Sequence, residues 1–168
     1  ACALMVGAEH PLASRADLGP EVVATRSCFY PDTEQVMGWE IGAEGFKVVL
    51  SAEVPQMVLE HLRGDVDAFL SDHGLHRDDI ANYVVHPGGP KVLEAMEVAL
   101  EVPREALALS YASLAERGNL SSASVLLILG DVLAGLGEGA AARPEAERFG
   151  LLVAMGPGFC SELVLLRW

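Results

Sequence analysis

Short unbroken apolar runs alternate along this chain with longer stretches in which apolar residues return every three or four positions, a pattern that predicts strands interleaved with helices. Ala1–Ala8 reads as a strand covered on both faces, closed by His10-Pro11 and a polar loop to Gly19-Pro20. Val22–Tyr30 is rich in β-branched and aromatic residues until Pro31-Asp32 stops it, and Met37–Ile41 with Phe46–Leu50 predicts a hairpin about Gly42-Ala43-Glu44-Gly45. From Pro55, a residue suited to a first helical turn, Val58, Leu62, Val66 and Leu70 recur at four-residue spacing and predict a helix ending by Gly74. Tyr83–Val85 reads as the end of a buried strand, and Val92, Leu93, Met96 and Leu100 mark the next helix face after Pro90. Pro103 separates that helix from Arg104–Glu116, which stops at Gly118, a natural left-handed C-terminal cap. Ser121–Leu136 is a strongly apolar helix with a small-residue start, residues 135–150 read as a mobile surface loop, and Leu151–Met155 with Leu163–Leu166 close the chain as a hairpin about Gly156-Pro157-Gly158. The sum is an α/β layered fold on a mixed sheet, expected to have five strands.

Composition narrows what such a domain binds. With 168 residues and 51% hydrophobic, residues 1–168 form one globular domain with a sizeable core. A formal net charge of -13 with no lysine or arginine cluster excludes nucleic acid as a partner and leaves any phosphate-bearing ligand to backbone amides. Three cysteines, Cys2, Cys28 and Cys160, are an odd number without metal-ligand spacing or a CxxC, which predicts no metal site and a reduced, cytoplasmic compartment. The opening run Ala1–Val6 is too short and lacks the basic flank of a signal peptide. Ser121–Leu136, interrupted by Gly130 and Asp131, falls short of the roughly 20 residues of a membrane span, so no membrane partner is expected.

Candidate chemistry starts at Val84-Val85-His86-Pro87-Gly88-Gly89-Pro90. The run delivers an imidazole to a strand's carboxyl end, just before a turn in which two glycines give freedom and Pro90 opens a helix. In open α/β sheets the crevice outside the carboxyl ends of the strands is where ligands bind. A lone histidine there is more often a core residue that merely caps the turn, so His86 needs support from elsewhere in the chain.

That support is a resemblance. His86-Pro87-Gly88-Gly89-Pro90, then Gly118-Asn119-Leu120-Ser121-Ser122-Ala123-Ser124, then Gly156-Pro157-Gly158-Phe159 before a final strand resemble, in this order, the type III polyketide synthases, the family of chalcone and stilbene synthases. The spacing of His86 and Asn119, 33 positions (119 minus 86), matches as well. The resemblance covers essentially the whole chain and implies the C-terminal half of a thiolase fold, usually in a homodimer. It implies an acyltransferase that performs decarboxylative Claisen condensation of malonyl-CoA onto an acyl-CoA starter, with these coenzyme A thioesters as substrates and no cofactor. His86 and Asn119 match two members of a Cys-His-Asn triad: a neutral amide can only donate, whereas an imidazole can donate or carry charge, and the two would stabilise an enolate and then an oxyanion.

The nucleophilic cysteine of the family belongs to an N-terminal half, and none of Cys2, Cys28 and Cys160 stands at a strand-to-helix turn that would replace it. This chain is therefore expected to need its own N-terminal domain as partner and to be inactive alone. The resemblance places Val48 at a gate where plant members carry an aromatic residue, which suggests a wider passage and a long acyl starter. A β-branched residue filling a strand explains Val48 equally well. Cys28, Ser121, Gly158 and Phe159 match pocket-wall positions, and the helix start at Gly89, Pro90 and Lys91 matches a contact for the pantetheine arm of coenzyme A. Two other readings share these features: a ketoacyl synthase III-type condensing enzyme, against which the Pro-Gly-Gly-Pro after His86 speaks, and a catalytically silent thiolase-fold subunit or scaffold.

Overall fold

The computed structural model describes residues 7, 19–135, 137 and 148–168. Strands β1 (Glu21–Phe29), β4 (Ile80–Val85), β5 (Phe149–Gly156) and β6 (Cys160–Arg167) form one sheet in the order β1-β6-β5-β4. β1 and β6, and β6 and β5, run antiparallel, whereas β5 and β4 run parallel, so the sheet is mixed as the alternation predicts. This sheet has four strands among the described residues; the expected strand Ala1–Ala8 lies outside them apart from Gly7, as do Cys2 and most of the connection 135–150. β5 begins two residues earlier than the apolar run suggests, because Phe149 and Gly150 still pair with Ile80 and Asn82 across the parallel ladder. β2 (Met37–Gly42) and β3 (Gly45–Leu50) make a separate two-stranded hairpin.

The two faces of the sheet carry two layers. On one, Tyr83, Val85, Leu151, Val153, Leu163 and Leu165 pack against Val58 and Leu62 and helices α2 (Arg63–Ser71) and α3 (Pro90–Leu100), while α1 (Val54–Met57) packs with Tyr30 and Phe159. On the other, Val84 and Leu166 meet Val125, Ile128, Leu129 and Val132 of α5 (Ser122–Leu133), preceded by α4 (Ala108–Arg117). The period-two alternation of Val84 against Val85 is what divides these side chains between layers. The helix predicted from Pro55 is continuous but not uniformly α: Val58–Leu62 forms a π-helical turn between α1 and α2. Among the described residues no helix is long and apolar enough to cross a membrane.

Antiparallel and parallel pairing together gather one end of the sheet. The carboxyl ends of β1, β4 and β5 and the start of β6 all lie there, so Tyr30, His86 and the turn Gly156-Pro157-Gly158 leave the sheet at the same edge. The β2–β3 hairpin is tied to that edge, since the Gly158 N–H donates to the Met37 carbonyl at 2.7 Å.

Candidate active site

The turn after β4 is fixed by its backbone. The His86 N–H donates to the Val153 carbonyl at 2.8 Å, extending the parallel ladder by one bond, and the Gly88 N–H returns to the His86 carbonyl at 3.0 Å. The Gly89 carbonyl accepts from Val92 and Leu93 at 3.1 and 3.0 Å, and Pro90 opens α3 where no amide hydrogen is needed. Gly88 acts through space rather than through backbone freedom, since a Cβ there would come within 3.3 Å of Val92 Cγ1, whereas Gly89 is extended with open space about its Cβ position. Burial pushes the His86 imidazole below its ordinary value of 6.5, because a desolvated cation is disfavoured. At neutral pH the ring is therefore neutral, with one donor and one acceptor nitrogen.

Asn119 is brought to this turn by the connection between α4 and α5. Its Nδ2 donates to the Gly88 carbonyl at 3.2 Å, while its Oδ1 accepts the Ser121 N–H at 2.8 Å. Both ends of the amide are thus oriented, and one N–H of Nδ2 stays uncommitted. The arrangement costs backbone strain, since Ser121 is a non-glycine residue at φ 58° and ψ −140°, a conformation that costs about 1–3 kcal/mol. Gly118 has φ 72° but ψ −171°, so the predicted left-handed cap is instead a positive-φ extended residue that turns the chain out of α4. A bidentate pair, Arg117 to Asp131 at 2.7 and 3.2 Å, clamps α4 to α5 beside the turn. The Leu120 N–H donates to the buried Ser124 Oγ at 2.8 Å, which accounts for one of the serines at the start of α5 as structural.

The Gly-Pro-Gly turn is anchored just as firmly. Phe159 N–H donates to Thr33 Oγ1 at 2.8 Å, its carbonyl accepts from Tyr30 at 3.0 Å, and Gly158 sits at φ 116° with room for a Cβ only 3.5 Å from Phe29. The Phe159 ring itself is wholly buried with Tyr30, Val36 and Val54, so its side chain supports the turn from within the core. Cys28 lies on β1 with Asp65 and Ser161 beside it; burial first, then the carboxylate, push its thiol up, which disfavours a nucleophilic thiolate. Cys160 opens β6, and its thiol is likewise raised by burial.

Val48 stands on β3 directly opposite Trp39 of β2 and is 55% exposed. The hairpin presents Met37, Trp39, Ile41, Phe46, Val48 and Leu50 on one face and the Glu40–Lys47 pair on the other. Trp39 meets Phe46 edge-on at 6.2 Å. Trp39 was not predicted as a site residue, although the two-residue turn Ala43-Glu44 fixes a register that places it across from Val48. Among the described residues no group of three or more His, Cys, Asp or Glu could hold a metal ion. A surface depression of 330 Å³ lined by Leu75, Asp78, Ala81 and Arg148 lies at the opposite end of the sheet from His86.

Residues 21–168 match the family described as chalcone and stilbene synthases, C-terminal domain. The chain is 55% identical over 149 residues to the 1,3,6,8-tetrahydroxynaphthalene synthase of Streptomyces peucetius subsp. caesius, covering 89% of this chain and 38% of that protein. It is 34% identical to the 3,5-dihydroxyphenylacetyl-CoA synthase of Streptomyces toyocaensis, over 89% of this chain and 37% of that protein. Among solved structures, PKS-I from the brown alga Ectocarpus siliculosus superposes with a TM-score of 0.80 at 28% identity, over 95% of this chain and 42% of that one. The 1,3,6,8-tetrahydroxynaphthalene synthase of Streptomyces coelicolor A3(2), a bacterial type III polyketide synthase, gives a TM-score of 0.74 at 30% identity, over 89% of this chain and 41% of that one. The chain spans about two fifths of the length of the relatives it matches.

Proposed function

This chain belongs to the chalcone and stilbene synthase family, as its C-terminal domain, and on that premise we propose that it supplies the oxyanion-binding half of a decarboxylating Claisen condensation. The observation that carries the proposal is the Asn119 amide, oriented at both ends and bonded to the turn that follows His86. A cysteine thiolate on an N-terminal half takes the acyl group from a starter thioester and releases coenzyme A thiolate. Malonyl-CoA then loses carbon dioxide, and the electron pair left on its α-carbon delocalises onto the thioester oxygen. His86 and Asn119 donate to that oxygen. The enolate carbon attacks the acyl-enzyme carbonyl, the same two donors hold the oxyanion, and its collapse expels the cysteine thiolate.

The neutral state that burial gives His86 suits this donor role directly. An adjoining thiolate would favour the imidazolium, so the ion pair needed for acyl loading forms only with the N-terminal half in place. That half, in a homodimer, and malonyl-CoA with an acyl-CoA starter are the proposed partners; Gly89, Pro90 and Lys91, at the open start of α3, are the proposed contact for the pantetheine arm, and Cys28, Ser121 and Gly158 contribute to the pocket wall from β1, the residue before α5 and the Gly-Pro-Gly turn, which the buried Phe159 supports from beneath. No cofactor is required, and a reduced compartment such as the cytoplasm suits the thiolate. On this reading Val48 and the cross-strand Trp39 form the gate together, and an indole beside the valine would narrow the passage toward a small starter, in place of the long one that Val48 alone suggests. The product is an aromatic polyol assembled from two-carbon units, the class named for the tetrahydroxynaphthalene synthase that is 55% identical.

The test is malonyl-CoA decarboxylation by the complete synthase, followed as carbon dioxide release. His86→Ala and Asn119→Ala each lower it about 10²–10³-fold with circular dichroism unchanged. Unchanged decarboxylation in both variants overturns the proposal.

A further inference from the structure

Beneath the Gly-Pro-Gly turn lies a polar cluster that the condensation does not use. Tyr30 is 9% exposed and donates its hydroxyl proton to Asp65 of α2. Ser161 of β6, fully buried, places its Oγ 3.0 Å from the Tyr30 oxygen and 3.3 Å from Asp65 Oδ2. His61 stacks on the Tyr30 ring at 4.5 Å, 24° from parallel. Three elements far apart in the chain thus meet on one carboxylate: the end of β1, the helix run 54–71, and β6.

The local structure is shaped to make that meeting possible. The π-helical turn Val58–Leu62 adds a residue to the helix, and each residue is worth about 100° of rotation, so the extra one reorients everything that follows, Asp65 included. Tyr30 in turn holds the catalytic edge: its N–H bonds the Phe159 carbonyl, and its carbonyl accepts from Thr33 Oγ1 at 2.6 Å, whose oxygen accepts from Phe159. Phe159 and Met155 pack with Val92, the residue in contact with the Gly88 position. β5 is fixed to the His86 backbone at Val153, whereas the turn beyond its end is held through Tyr30 and Met37, so a shift of Tyr30 moves the Gly-Pro-Gly turn relative to His86.

We propose that Tyr30, Asp65 and Ser161 are positioning residues that fix the Gly156–Phe159 turn and so set how far the polyketide grows before it leaves the enzyme. A fully satisfied buried polar network specifies one geometry, whereas an apolar contact of the same area tolerates sliding. The proposal rests on the condensing function proposed above. None of the three residues touches the reacting atoms, and their effect is on which product forms rather than on whether carbon dioxide is released.

The experiment uses the complete synthase with malonyl-CoA and reads three quantities: carbon dioxide release, the distribution of product chain lengths, and the rate at which iodoacetamide alkylates Cys28, followed on its own peptide by mass spectrometry. Tyr30→Phe and Asp65→Ala leave carbon dioxide release within about twofold and change the ratio of shorter to longer products at least about fivefold. Asp65→Asn keeps an acceptor for Tyr30 and restores the wild-type ratio. A purely structural role would instead lower all products together.

The Cys28 reading is independent of activity. Burial raises that thiol and the Asp65 carboxylate raises it further, while a hydrogen bond with Ser161 and then Arg26 on the same strand oppose them. Removing the carboxylate in Asp65→Ala leaves Ser161 and Arg26 to favour the thiolate and speeds alkylation several-fold at about pH 8. Faster alkylation with an unchanged product ratio in Tyr30→Phe and Asp65→Ala means the cluster forms but does not position the turn, and overturns the proposal. Unchanged alkylation in Asp65→Ala overturns the cluster itself. A wild-type synthase that releases no carbon dioxide refutes the condensing function and this proposal with it, whatever Cys28 reports.

Discussion

The edge that carries His86 and the β2–β3 hairpin beside it differ in how completely each is satisfied by its own chain. At the His86 edge the backbone of every turn has a partner, Phe159, Val84 and Val85 are wholly buried, and Asn119 is held at both ends of its amide. The hairpin, a few residues away, leaves Trp39, Ile41, Phe46, Val48 and Leu50 between 55% and 75% exposed on one face. An apolar face of that kind on a two-stranded ribbon has no independent stability to gain from water. The contrast separates the parts this domain builds alone, the oxyanion donors and their scaffold, from a wall that on the proposed reading is completed by the N-terminal half. On the proposed reading, chemistry is placed by the finished region and selection among substrates by the unfinished one.

Substitutions in the two regions differ in their cost. Phe159→Ala empties a fully buried site and lowers the unfolding free energy by about 3–5 kcal/mol in urea titration. A loss below about 1 kcal/mol there would mean that the His86 edge is as loosely made as the hairpin. Gly38→Ala would set a Cβ 2.4 Å from the Glu34 carbonyl oxygen, and the backbone shift needed costs about 2 kcal/mol and detaches the hairpin from its anchored base. Trp39→Ser, on the exposed face, changes the stability of this chain by less than about 0.5 kcal/mol. In the complete synthase the same change admits larger starters, whereas Val48→Phe shifts preference toward smaller ones; an unaltered starter range in both removes the gate.

A smaller effect follows from pH. Burial lowers the folded-state value of His86 below 6.5, so the unfolded chain binds the proton more readily. The stability contributed by keeping this ring neutral is fully present above pH 6.5 and is lost as pH falls through that value toward the depressed one. Urea midpoints measured at steps between pH 8 and pH 5 fall further for the wild type than for His86→Gln, and parallel curves would show that the ring is not desolvated in the fold.

Most elements were legible in the sequence because their signals are local. The alternation of Val84 and Val85 between layers, the four-residue spacing of Val58, Leu62, Val66 and Leu70, and Pro90 at a helix start all carry their cause within a few residues. The approach of Asn119 to the His86 turn was legible only through the motifs of a known family, since nothing in residues 86–119 alone brings a loop between two helices back to a strand end. What stayed hidden depends on distant partners or on backbone geometry. The strained Ser121, the extended Gly118 and the π-helical turn at Val58–Leu62 leave no mark on hydrophobic period. Tyr30, Asp65 and Ser161 meet across intervals of 35 and 96 residues, and each by itself reads as an unremarkable polar position. Trp39 was within reach, because hairpin register alone places it opposite Val48.

On the proposed reading His86 and Asn119 act as one oxyanion-binding unit, and the decisive experiment is a double-mutant cycle on malonyl-CoA decarboxylation. If they act together, His86→Ala, Asn119→Ala and the double variant of the complete synthase lose similar activity, with the double no more than about tenfold below either single. Losses that multiply, or a single variant that retains wild-type decarboxylation, would contradict it.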